Sequence, residues 1–258
     1  MAADVDLAGA LVRAAGHLAA RMLADGLTVR HKTSISDVVS AADHAAEELV
    51  VTRLRAERPD DAIVGEEGTS DTGASGAATA RTWYVDPVDG TYNFLSGLPA
   101  WCAALALGPS QTEAPILGAV YQPGTDELWV GGHDHPTTRN GVRLEPLADK
   151  PLSQVSLATY LHPFTLPDDS LREPLLRAMG GAATVRMLGS GSVELAAVAA
   201  GRLGASVQAN SLPWDWLPGA ALVLAAGGAA KIVEASGHRW HVAGSHQTVA
   251  ELSELLRG

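Results

Sequence analysis

Two aspartates three residues apart, Asp86 and Asp89, sit in the stretch Trp83-Tyr84-Val85-Asp86-Pro87-Val88-Asp89-Gly90-Thr91. A short apolar strand, expected over residues 82–85, runs straight into them. That puts Asp86 at the strand's carboxyl end, where open α/β sheets present their ligands. Pro87 removes a backbone donor and stiffens the turn, and Gly90 lets the chain bend sharply afterwards. Two carboxylates aimed into one small volume repel each other, and a cation or a shared proton relieves that repulsion. Taken alone, a D-P-x-D-G string is an ordinary turn. The other acids shift the balance. Gly65-Glu66-Glu67-Gly68 follows a second expected strand, residues 62–64, in the same way, and Asp215 lies in Pro213-Trp214-Asp215-Trp216 at the start of an expected helix. Oxygen-only donors of this kind suit Mg²⁺ or Mn²⁺ rather than zinc. Mg²⁺ held by few protein carboxylates keeps positions for water and for phosphate oxygens.

The elements that must position these acids are legible from apolar spacing. Leu7, Leu11, Ala14, Leu18 and Met22 recur at helical intervals over residues 5–23, and Asp25-Gly26 marks the exit. A second helix is expected over 41–55, and a Gly/Ser/Thr/Ala-rich loop over 68–80. Three closely spaced strand-like runs, 103–107, 116–121 and 127–130, predict an antiparallel meander rather than βαβ units. Residues 131–140 read as a loop or hairpin with His133 and His135 at a solvated tip. Beyond about residue 150 the pattern becomes mixed: strands at 155–159, 205–208 and 230–233, helices at 171–179, 193–200 and 216–226. A soft boundary near 145–155 therefore divides the chain into 1–150 and 151–258.

Composition narrows the function. The 258 residues are 47% hydrophobic, enough for a sizeable core, with 18 basic against 29 acidic residues and a net charge of −11. With no Lys/Arg run, this balance argues against nucleic acid as a partner. The single cysteine, Cys102, rules out an internal disulfide and a multi-cysteine zinc site and is expected as a small buried residue. No apolar run reaches the roughly 18 residues a membrane span requires, and no signal-peptide pattern opens the chain, so a soluble, cytoplasmic protein with no membrane partner is expected. No G-x-x-x-x-G-K-[ST] occurs, and Gly189-Ser190-Gly191-Ser192 lacks the G-x-S-x-G spacing of a nucleophile elbow.

Gly65-Glu66-Glu67, then Asp86-Pro87-Val88-Asp89-Gly90-Thr91-Tyr92-Asn93-Phe94, then Trp214-Asp215 with Gly219 and Ala226-Gly227-Gly228 resemble, in order and spacing, the signatures of the inositol monophosphatase family. Lys32-Thr33, Asp37, Ser40 and Asp43 resemble that family's lysine followed by D-x-V-T-x-x-D, with Ser40 replacing the threonine. Tyr121-Gln122-Pro123 and Glu127-Leu128-Trp129 resemble a recurring family hairpin. The resemblance spans nearly the whole chain. It implies an α/β fold of the α+β type, a layered αβαβα sandwich, and hydrolysis of a small phosphate monoester by a metal-activated water.

The resemblance also implies roles. Glu66, Asp86 and the Val88 carbonyl would hold one Mg²⁺; Asp86, Asp89 and Asp215 would hold a second, with two or three ions per site and Mn²⁺ as a substitute. Asp43 and Thr91, with Glu66, would orient and deprotonate the water. Gly90 and Thr91 would cradle the phosphate, and Gly189, Ser190, Gln208 and Asp215 would face the substrate. A lithium-sensitive, cytoplasmic homodimer is implied as well. Gln208 replaces the family's frequent glutamate, Gly204 stands where an acid is common, and the segment between Gln208 and Trp214 lacks the histidine often found there. Inositol 1-phosphate ranks first as substrate. Histidinol phosphate, fructose 1,6-bisphosphate and 3′-phosphoadenosine 5′-phosphate are the family's other options, and a catalytically silent binding paralogue ranks below them.

Overall fold

Helix α1 (Ala2–Asp25) and helix α2 (Ala41–Glu57) form one outer layer of the computed structural model, which describes residues 2–26, 29–31, 38–73, 81–109 and 114–258. Lys32, Thr33, Asp37 and residues 74–80 of the expected 68–80 loop lie outside the described residues; Ser40 is described only as strand backbone. Two short strands between the helices, β1 (Val29–His31) and β2 (Val38–Ser40), pair antiparallel. Of the predicted α1 stripe, Leu7 and Leu11 are buried against Val50 and Leu54 of α2 and the sheet beneath, whereas Ala14, Leu18 and Met22 are only half-buried and Ala15 takes the core position instead.

Among the described residues that sheet has eight strands. They are β3 (Ala62–Gly65), β4 (Ser70–Asp71), β5 (Arg81–Asp89), β6 (Cys102–Pro109), β7 (Leu117–Gln122), β8 (Glu127–Gly132), β9 (His135–Arg139) and β10 (Val142–Arg143). In space they run β10-β9-β8-β7-β6-β5-β3-β4, and a one-and-a-half-turn helix α3 (Thr91–Leu95) joins β5 to β6. Strands β6 to β8 form the expected antiparallel meander, which β5, β9 and β10 extend, and β3 lies parallel to β5. The polar 131–140 stretch is a hairpin built on β8 and β9, with exposed His133 at its tip against Asp134; His135, expected at the same tip, instead opens β9 and is half-buried.

The second sheet contains β11 (Ser156–Thr159), β12 (Thr184–Arg186), β13 (Ala205–Ala209), β14 (Ala229–Ala235) and β15 (His238–Gly244), ordered β12-β11-β13-β15-β14. Helices α5 (Gly191–Ala199) and α6 (Pro213–Ala225) fill the space between the sheets, where Val193, Leu195, Trp216 and Leu222 meet Tyr84, Ala104 and Val120. Helices α4 (Asp169–Gly181) and α7 (His246–Arg257) cover the far face through Leu171, Leu175, Val249 and Leu252. The layers thus read α/β/α/β/α, as the resemblance implies. Strand β15 and helix α7 are additions to the sequence-based expectation.

One expectation about the acids needs correction. Strand β5 does not end at Val85 but continues to Asp89 through an irregularity. Asp86 pairs with Ala104 and Asp89 with Cys102, so three steps along β5 match two along β6. The cause is local chemistry: Pro87 has no N–H to give the ladder, and the Val88 N–H turns back to Asp86 Oδ1 at 3.1 Å. Side chains three apart on a regular strand face opposite sides. The extra residue returns Asp89 to the same face as Asp86, the face that α5 and α6 cover.

Candidate active site

The bulge aims two aspartates at the inner helical layer, and the first turn of α6 supplies a third. Carboxylate oxygens of Asp86, Asp89 and Asp215 all lie within 4.8 Å of one another. Asp86 and Asp89 are buried, Asp215 partly so. Glu66 joins from the neighbouring strand. The parallel register pairs Gly65 with Val85, and the Glu66 N–H donates to the Val85 carbonyl at 3.1 Å, which sets Glu66 beside Asp86.

The electrostatics of this cluster are those of acids crowded in a dry place. Burial first, then the charges of Glu66, Asp89 and Asp215, push the Asp86 carboxyl well above the ordinary carboxylate range. Burial and the neighbouring Asp89 push Asp215 up to about 7. Asp89 is also raised by burial, although the Ser192 N–H, donating to Asp89 Oδ2 at 2.6 Å, pulls it back. Such a cluster stays charged at neutral pH only with compensating positive charge, and its all-oxygen donor set fits a hard divalent cation.

Around the cluster the remaining expected residues connect one to the next. The Thr91 hydroxyl lies 3.1 Å from the Val88 carbonyl and 3.4 Å from Asp43 Oδ1, so it can donate to either, and Asp43 is buried in the first turn of α2. Gly90 has φ +92°, and a Cβ there would sit 3.0 Å from the Ala100 carbonyl and 3.1 Å from the Gly189 carbonyl. Glycine is therefore required by conformation and by space at once. Ser190 caps α5 by accepting the Val193 N–H at 3.3 Å, and Cys102 Sγ lies 3.8 Å from the Ser190 hydroxyl and 4.0 Å from Asp89 Oδ2. A Cβ on Gly191 would stand 3.4 Å from the Asp215 carbonyl and 3.7 Å from Gln208 Oε1, which places Gln208 beside the start of α5.

Three residues escaped sequence reasoning as parts of this framework. Asn93 Nδ2 donates to the carbonyls of Leu188 and Ala100, tying α3 to the 188–190 segment. Glu194, buried on α5, accepts the Leu188 N–H at 2.7 Å, and burial raises its carboxyl to about 8. Glu47, on α2, holds the turn after β3. Asn93 was visible inside the motif it belongs to. The glutamates had no signal, because a helical glutamate is most often solvated. Trp216 packs edge-on against His241, as a core residue does, and exposed His44 lies 3.6 Å from Glu67.

Comparison with known proteins converges on one group. A sequence model described as the inositol monophosphatase family matches residues 3–255. An inositol-1-monophosphatase of Rhizobium meliloti is 36% identical over 204 residues, 78% of this chain and 74% of that protein. One from Bacillus subtilis is 29% identical over 89% of this chain and 85% of its own. The crystal structure of the extragenic suppressor protein suhB from Bartonella henselae superposes with a TM-score of 0.87 at 27% identity, covering 99% of this chain and 98% of that one. The Thermotoga maritima IMPase gives 0.82 at 26%, covering 98% and 96%.

Proposed function

The chain belongs to the inositol monophosphatase family and is a phosphomonoesterase of that metal-dependent family; we propose that it uses Mg²⁺ to hydrolyse a small phosphate ester, inositol 1-phosphate first among them. The observation that carries this reading is the convergence of Asp86 and Asp89 with Asp215, more than a hundred residues away, inside 4.8 Å. Glu66, Asp86, Asp89, Asp215 and the Val88 carbonyl would hold the metal. Residues 1–150 supply all but Asp215, which comes from 151–258, so the site assembles across the two halves.

When bound, Mg²⁺ supplies Lewis acidity to phosphate oxygens and lowers the pKa of coordinated water. The chain's own residues do the rest. The Thr91 hydroxyl, placed between the Val88 carbonyl and Asp43, accepts a proton from the attacking water as its own passes to the Asp43 carboxylate. Glu66, beside Asp86, would help to orient that water. Backbone N–H groups at Gly90 and Thr91 would face the phosphate, and a Cβ at Gly90 would meet the Gly189 carbonyl and the Ser190 side chain, each at 3.1 Å, so the absence of a side chain there keeps the two segments close. Gly189, Ser190 and Gln208 bind the alcohol portion of the substrate, with Gln208 both donating and accepting as a neutral amide. Lithium inhibition, a homodimeric state and a cytoplasmic location complete the reading; among the described residues no helix is long and apolar enough to cross a membrane.

The deciding experiment is phosphate release from inositol 1-phosphate, histidinol phosphate, fructose 1,6-bisphosphate and 3′-phosphoadenosine 5′-phosphate, each with and without Mg²⁺. Mg²⁺-dependent turnover highest on inositol 1-phosphate is expected. A different preferred ester would reassign the substrate, and no turnover on any would leave a binding protein on a hydrolase fold.

A further inference from the structure

Asp43 and Glu47 stand one helical turn apart on α2, both buried. Asp43 meets Thr91, whereas the Glu47 carboxylate is wrapped by the turn that follows β3. Its Oε2 accepts the Glu67 N–H at 2.8 Å. Its Oε1 accepts the Thr69 N–H at 3.2 Å and the Thr69 hydroxyl at 2.6 Å. The same turn is closed by the Gly65 N–H donating to the Thr69 carbonyl at 2.8 Å. A Cβ on Gly65 would stand 2.5 Å from the Glu47 carboxylate, so strand end and carboxylate are in direct contact and only glycine fits.

Glu66 is therefore flanked on both sides by residues that one carboxylate fixes: Gly65 by contact and Glu67 by its N–H. Its own N–H is fixed to Val85. We infer that Glu47 is a positioning residue for the metal site, an internal anion around which the 65–69 turn folds so that Glu66 stands beside Asp86. The inference rests on the reading of Glu66 as a metal ligand. Glutamine cannot replace Glu47: it offers one acceptor oxygen and an NH₂ group, and the latter would meet either the Glu67 N–H or the Thr69 donors head on. Aspartate falls one methylene short. Groups outside the coordination sphere that orient ligands typically account for 10–100-fold in metal affinity.

Two readouts on the full-length protein test this. The first is Mn²⁺ affinity by electron paramagnetic resonance; the second is hydrogen exchange of the 65–69 amides in metal-free protein. Glu47→Gln should weaken Mn²⁺ about tenfold and accelerate exchange at Glu67 and Thr69. Thr69→Val, a milder lesion on the same contact that also serves if Glu47→Gln does not fold, should weaken Mn²⁺ about threefold. Glu251→Gln is the comparator. On the far side of the molecule Glu251 accepts the Leu152 N–H at 2.7 Å with Oε2 and the Gln247 amide at 2.9 Å with Oε1, so glutamine there likewise removes one of two acceptors, and its Mn²⁺ affinity should match wild type. Wild-type Mn²⁺ affinity in Glu47→Gln or, where that variant does not fold, in Thr69→Val, or an equal loss in Glu251→Gln, would overturn the inference. Should wild-type protein bind no Mn²⁺, the metal reading fails, and unchanged 65–69 exchange would still separately refute the role given to Glu47.

Discussion

Asp89 does two jobs with one carboxylate. Oδ2 takes the Ser192 N–H at the start of α5, and the same carboxylate lies in the cluster with Asp86 and Asp215. Asparagine keeps one oxygen for the Ser192 N–H but brings no charge. Asp89→Asn should therefore reduce phosphate release roughly a hundredfold or more, while its melting temperature in the metal-free state stays close to wild type; the first figure takes the upper end of what indirect ligand partners lose. Wild-type turnover in that variant would remove Asp89 from the metal set. Thr91 predicts a different signature. Its hydroxyl bridges the Val88 carbonyl and Asp43 rather than any group expected to hold the alcohol. Thr91→Ala should lower kcat about a hundredfold with KM little changed, the pattern of a lost proton-transfer group. A raised KM with intact kcat would make it a binding residue instead.

Between residue and fold, the site depends on segments that are held rather than merely connected. The 188–190 segment is gripped from both sides, by Asn93 Nδ2 on the Leu188 carbonyl and by Glu194 on the Leu188 N–H. Cutting the first grip with Asn93→Ala should loosen the wall that faces the alcohol, raising KM about tenfold, a loss matching one hydrogen bond, with a smaller change in kcat. An unchanged KM would show that Glu194 suffices alone. Such grips explain what sequence could and could not tell. Apolar spacing placed α1, α2 and the β6–β8 meander, because those residues are buried for the reason they are periodic. The acids announced themselves by type and order. The bulge at Pro87-Val88 did not, since Asp-Pro reads as the end of a strand, and only pairing with β6 shows the strand continuing. Helix α7 had a legible signal in Val249, Leu252 and Leu256 behind the cap Ser245. Gly204, where the family often has an acid, leaves no room for one: a Cβ there would lie 2.1 Å from Val155 Cβ. That is a packing fact no single sequence reveals.

At the scale of the whole molecule, an excess of acid is concentrated where it is hardest to keep ionised. Asp215 at about 7, Glu194 at about 8 and Asp86, raised well above its usual range, all hold protons more tightly in the folded state than in the unfolded chain. The sign follows from linkage: their contribution to stability is full at pH values below the ordinary carboxylate range and is lost as pH rises through the raised values. Metal-free protein should thus lose stability between about pH 5 and pH 8. Mg²⁺ reverses the trend, because it needs Asp86 and Asp215 deprotonated and repays the repulsion between them. Below pH 7 each proton displaced costs about tenfold in apparent Mg²⁺ affinity per pH unit. The rise in melting temperature on adding Mg²⁺ should accordingly be small at pH 5.5 and large at pH 8. Glu194→Gln separates the two contributions: glutamine does not titrate, so the metal-free decline near pH 8 should flatten while the pH dependence of the Mg²⁺ effect persists. Thermal melts with Mg²⁺ or chelator across this range measure both, and an Mg²⁺ shift indifferent to pH would mean that the buried aspartates are not the groups that receive the ion.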